Sequence, residues 1–185
     1  MGARICFTNH IHIAEKSFDN GLLKYVGYQD ITPEALDEIT HDSRIKMVQI
    51  DRQLPQEAYE VIDRILERRP DLYLRIFSIG STCGPFDLSV LGRMPHLSKV
   101  WLEAYLRYDK NALNAEYLCE LPNLRGLHLN LFDCREYDFV NHLTKNLEEL
   151  VLYADTMGGG IRFDCEWLLQ YGQLRNLALG KKARK

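Results

Sequence analysis

An excess of positive charge is missing from this chain. Its 23 Lys and Arg stand against 26 Asp and Glu, for a net charge of −3, so no domain-wide field draws in phosphate backbones and nucleic acid is not the expected partner. Also absent is any run approaching the ~18 uncharged residues of a membrane helix, and Met1-Gly-Ala-Arg-Ile-Cys has no apolar signal segment; a cytoplasmic protein away from membranes is expected. Gly2 invites myristoylation, but Cys6 stands where Ser or Thr is wanted. The five cysteines, Cys6, Cys83, Cys119, Cys134 and Cys165, are odd in number, far apart and without a C-x-x-C pair. Reduced, mostly buried thiols are therefore expected rather than a disulfide framework. Gly158-Gly-Gly160 is followed by no G-K-[ST] and reads as a loop, not a phosphate cradle. His10 and His12 share a strand face, yet no third ligand has a fixed spacing to them, so no metal is expected.

What is present is one short phrase, repeated. Leu97-Ser-Lys-Val100-Trp-Leu102, Leu124-Arg-Gly-Leu127-His-Leu129, Leu147-Glu-Glu-Leu150-Val-Leu152 and Leu174-Arg-Asn-Leu177-Ala-Leu179 are each L-x-x-L-x-L. Apolar residues two apart share one face of a strand, so each phrase predicts a short strand with one buried side. A looser alphabet adds Leu74-Arg-Ile-Phe77-Ser-Ile79, Ile45-Lys-Met-Val48-Gln-Ile50 and Leu23-Lys-Tyr-Val26-Gly-Tyr28, with leading positions advancing by 22 to 29 residues. An eighth strand at Ile5-Cys-Phe7 and a hairpin cap over residues 4–14 are alternatives for the start of the chain.

Between these strands the apolar period changes to that of a helix. Leu54, Ala58, Val61, Ile62, Ile65 and Leu66 form one stripe, and Thr32-Pro33 reads as an N-cap followed by proline in the first turn. Phe86, Val90 and Leu91, then Leu113, Tyr117 and Leu118, then Phe139, Val140 and Leu143, then Trp167, Leu168 and Tyr171 predict shorter return helices. Each return stops at a punctuation such as Arg69-Pro70-Asp71, Met94-Pro95-His96 or Leu121-Pro122-Asn123.

This pattern resembles the leucine-rich-repeat family. The resemblance implies an α/β solenoid of about 7–8 repeats over residues 1–185, a curved parallel sheet inside and helices on the convex side. Residues 1–22 are a cap or a first repeat, and 180–185 a basic tail. The chain departs from the family pattern where an asparagine ladder is usual: Ile31, Gln53, Thr82, Tyr105, Phe132, Asp155 and Lys182 occupy those positions.

In such a solenoid the residues between the buried ones line the concave face. They include Met47, Gln49 and Asp51; Ile76, Ser78 and Gly80; Lys99, Trp101 and Glu103; Gly126, His128 and Asn130; and Glu149, Val151 and Tyr153. Trp101, His128 and Val151 are expected to form a column flanked by Glu103, Asn130 and Tyr153, with Tyr105, Arg107 and Tyr108 extending its rim. Aromatic residues with an acidic border of Asp51, Glu103, Glu149 and, as an optional member, Asp155, and with Met47 among the contact residues, suit a partner protein carrying a basic patch. His128 has no nucleophile or oxyanion donors beside it in the pattern, so the chain is expected to bind rather than catalyse, without cofactor. The contexts are an immunity or inhibitor protein against a toxin, or an adaptor recruiting a client. The last phrase, Leu174 to Leu179, has no visible cap, which allows a weak dimer through that edge strand as well as a monomer.

Overall fold

A computed structural model describes residues 10–22, 24–77, 79, 84–106, 110–132, 137–154 and 163–181. In chain order the strands are β1 (His10–Ala14), β2 (Phe18–Asp19), β3 (Lys24–Gly27), β4 (Met47–Ile50), β5 (Tyr73–Ile76), β6 (Phe86–Asp87), β7 (Lys99–Ala104), β8 (Ala112–Leu113), β9 (Gly126–Leu131), β10 (Glu149–Ala154) and β11 (Asn176–Lys181). The helices are α1 (Pro33–His41), α2 (Gln56–Arg68) and α3 (Tyr117–Glu120). The chain is a mixed α/β protein with one large open sheet in the order β11-β10-β9-β7-β5-β4-β1-β3-β2, and β6 pairs with β8 separately. Every pairing in the large sheet is parallel except β2 with β3. Among the described residues no helix is long and apolar enough to cross a membrane.

All seven expected strands form, as β3, β4, β5, β7, β9, β10 and β11. In six of them, all but β3, the residues of one face align in one register, Val48, Leu74, Val100, Leu127, Leu150 and Leu177. The core lies between this face of the sheet and the helical segments. α2 lays Ala58, Val61, Ile62, Ile65 and Leu66 against it, and Thr32 caps α1 by accepting from the Ala35 amide at 3.3 Å. The punctuations close as repeated turns: Leu72, Leu97, Leu124 and Leu174 each donate to the carbonyl three residues earlier, at 3.1 to 3.4 Å.

The structure departs from the expected pattern in three places. At the N-terminal end, β1 inserts between β3 and β4, so the β3-α1-β4 connection crosses over it. Ile11 and Ile13 are buried, which favours an interior position for β1 over the edge of a cap. β2 and β3 form a hairpin, with Asn20 and Asp19 side chains accepting from the amides of Leu22 and Gly21.

The later returns are not α-helices, apart from the four-residue α3. Leu88–Arg93, Asp138–His142 and Cys165–Gln170 are 3-10 turns. A 3-10 turn rises ~2.0 Å per residue against ~1.5 Å for an α-helix, so a short return spans the strand length with fewer residues. Asp87 and Asp164 initiate two of them by accepting from Ser89 and Glu166 amides, both at 2.9 Å.

The third departure changes which residues face the open side. β5 carries L-x-L-x-I, Leu72, Leu74 and Ile76, all fully buried. Its stretch from the turn into the strand, Leu72 to Leu74, is one residue shorter than Ile45 to Val48, Leu97 to Val100 or Leu124 to Leu127. In longer stretches two consecutive amides share one carbonyl: Arg125 and Gly126 on Ser98, Glu148 and Glu149 on Arg125, and Arg175 and Asn176 on Glu148. In β5 Tyr73 alone donates, to Lys46. Strand side chains alternate between faces, so an odd shift exchanges them. Ile76, expected on the open face, is in the core; Tyr73, Arg75 and Phe77 take the open face instead.

Candidate functional site

The open face of the sheet is built in rows. The first runs Met47, Tyr73, Lys99, Gly126, Glu149 and Asn176; the second His12, Gln49, Arg75, Trp101, His128, Val151 and Ala178; Glu103, Asn130, Tyr153 and Gly180 begin a third. Trp101, His128 and Val151 are thus in register, as are Glu103, Asn130 and Tyr153.

Along the second row, rings and a cation touch in succession. Phe18 lies 6.0 Å from Tyr25, Tyr25 lies 4.0 Å from His12, and His12 lies 5.5 Å from Phe77 between ring centroids. The Arg75 guanidinium sits 4.7 Å from Phe77 and 4.8 Å from Trp101. Trp101 stacks on His128 at 3.9 Å, and His128 lies 5.7 Å from Tyr153. Tyr105 stands apart from this chain, stacked on Phe132 at 4.9 Å.

Arg75 is the hinge of the arrangement, and the phrase register hid it. It donates to Gln49 Oε1 at 2.6 Å and to Glu103 Oε1 at 2.9 Å through Nε, with a second bond to Glu103 through its other arm. Fixed in this way, its planar cation presents both faces to aromatic rings. A spacing argument that equalised the steps on either side of Leu74 would have found it.

The expected acidic border is occupied from within. Asp51 is bound by Arg52 at 2.8 Å and lies 3.7 Å from His12; Glu103 is bound by Arg75; Glu149 lies 3.4 Å from Lys99. Tyr73 also extends its hydroxyl towards Glu149, reaching across two strands. That span needs Gly126, where a Cβ would come within 3.0 Å of the Tyr73 hydroxyl and of Lys99. Burial, then Glu149, pushes the Tyr73 phenol up. Burial pushes Asp51 up, but the Arg52 bond and the nearby His12 and Arg52 charges outweigh it and hold the carboxyl low.

The three histidines of this face are all held towards the neutral form. Burial lowers His12 to about 4, partly opposed by Asp51. Burial and the Arg75 charge lower His10. Burial lowers His128 against the opposing pull of Asn130, Glu103 and Glu149. His12 is 6% exposed, and among the described residues neither its Nε2 nor the Trp101 indole nitrogen has a hydrogen-bond partner.

Of the expected contact residues, Trp101, Glu103, Asn130, His128 and Tyr153 form one patch. Met47 and Glu149 lie in the first row, Asp51 just beyond β4 at the Arg52 pair, and Tyr105 with Phe132. Asp155, Arg107, Tyr108, Ser78, Gly80, Cys6, Cys83, Cys134, Gly158-Gly-Gly160 and residues 182–185 lie outside the described residues. Cys119 is half-buried, its thiol pushed up by burial, whereas Cys165 is exposed. Among the described residues no three His, Cys, Asp or Glu side chains converge as a metal site. No family model, no curated protein and no solved structure matches the chain.

Proposed function

We propose that this chain is a leucine-rich-repeat-type solenoid that binds a partner protein through the open face of its sheet, without catalysis. The observation that carries this reading is the row from Phe18 to Tyr153, in which Arg75, Trp101 and His128 are held in fixed contact. Rigid aromatic side chains lose little entropy on binding and dominate interface energetics. Tyr153, 37% exposed, presents ring surface beside the held rings. A basic partner finds Asp51, Glu103 and Glu149 already neutralised, so its cations gain little there, and the rings carry most of the affinity. Inhibition of a toxin in the cytoplasm is the context preferred. A photo-crosslinking residue at Tyr153 captures the partner, and one at Glu60 on the exposed side of α2 does not; the reverse would place the site on the helices.

A second reading, an assembly subunit joined through β11, rests on a different observation. Leu177 and Leu179 continue the buried rows of Leu150 and Leu152, yet each is 46% exposed.

A further inference from the structure

Sheet and return segments part company behind β7 and β9. Leu102, Leu129 and Leu131 on the sheet side and Ala115, Leu118 and Phe139 on the return side line a partly open cavity of about 190 Å³ there. The space follows from how thin the return layer is at this point. α2 buries six side chains beneath its helix, whereas α3 is four residues long and buries only Leu118. Ala115 adds no more than a methyl group.

Among the described residues the lining is hydrocarbon except for Glu116, an exposed residue at its border. Water held in a cavity needs ~2–4 polar partners, and an apolar cavity of ~150 Å³ stays dry and admits benzene. A charged guest finds no buried counter-charge, and an anion meets the Glu116 carboxylate. A neutral planar molecule leaves no charge or hydrogen bond unmet on entering and restores the contacts that an empty space forfeits.

We propose that this cavity binds a small, uncharged aromatic molecule, one or two fused rings in size. It lies on the opposite side of the sheet from Trp101, so the site is independent of the partner-binding reading. Indole is the probe, with benzoate as the charged comparison. The full chain, titrated with indole, shows a saturable rise in melting temperature and methyl shifts at Leu102, Leu118 and Leu129; benzoate produces neither. Ala115→Leu fills the space, and its indole response is at least tenfold weaker. Should that variant fail to fold, Leu118→Phe serves the same purpose, and the methyl shifts of the unaltered chain are read on their own. A flat titration of the unaltered chain, or shifts spread over the surface instead of these leucines, overturns the proposal. So does an undiminished response in a folded filled variant.

Discussion

The His128 imidazole lies flat on the Trp101 indole, centroids 3.9 Å apart and planes 9° from parallel. The two come from β9 and β7 at registered positions, so the sheet itself sets their separation. On its far side Trp101 receives the Arg75 cation. An indole between a cation and a neutral imidazole has little freedom left, and this is what makes the patch a preformed surface.

Histidine burial makes stability pH-dependent. His12 takes a proton in the unfolded chain below about 6.5 but in the folded chain only near 4. Stability is therefore complete above pH 6.5 and falls as the pH drops towards 4, by up to about 3 kcal/mol from this group. His10 and His128 act in the same direction. His96 acts oppositely: Asp63, at 2.8 Å, raises it, so its contribution is present at low pH and lost as the pH rises. Urea midpoints at pH 7 and pH 5 measure the net slope, and His12→Gln flattens it.

Removing the Arg75 side chain strands Gln49 and Glu103 and takes the cation off two rings. Arg75→Ala costs about 1–3 kcal/mol, read as a lower thermal midpoint. It also weakens the near-ultraviolet circular dichroism of Trp101, whose ring is no longer held on that side. Glu103→Gln, which keeps an acceptor, costs less.

Gly180 tests the position of Tyr153 rather than the fold. A Cβ at residue 180 would lie 2.4 Å from Tyr153 Cε1. Gly180→Ala therefore swings the phenol ring aside, and partner binding weakens while the melting temperature changes little.

The end of the sheet contributes less than its middle. Leu150→Ala, in a fully buried row, costs about 2–5 kcal/mol with the cavity it leaves. Leu177→Ala, one strand further out and half-exposed, costs about 1 kcal/mol or less. Denaturant unfolding of the two variants separates them.

Much of this architecture is legible in the phrase L-x-x-L-x-L, because a two-residue alternation leaves only one way to bury leucines. The column of Trp101, His128 and Val151 follows from it directly. Three things do not. The stretch from turn to strand at β5 lacks one residue, and a single-residue difference is invisible in a loose apolar spacing yet exchanges Arg75 for Ile76 on the open face. The place of β1 between β3 and β4 is settled by long-range pairing of Ile11 and Ile13, with no local signal. The acidic border reads as free in a sequence because Arg75 and Lys99 meet Glu103 and Glu149 only once the strands are side by side.

The central claim is that the partner is held by the rings of the open face. Affinity purification of the tagged chain from its native cell, beside Trp101→Ala/Tyr153→Ala of unchanged melting temperature, tests it most directly. The account predicts a principal bound protein that the double variant loses; the same protein recovered equally by both forms would contradict it.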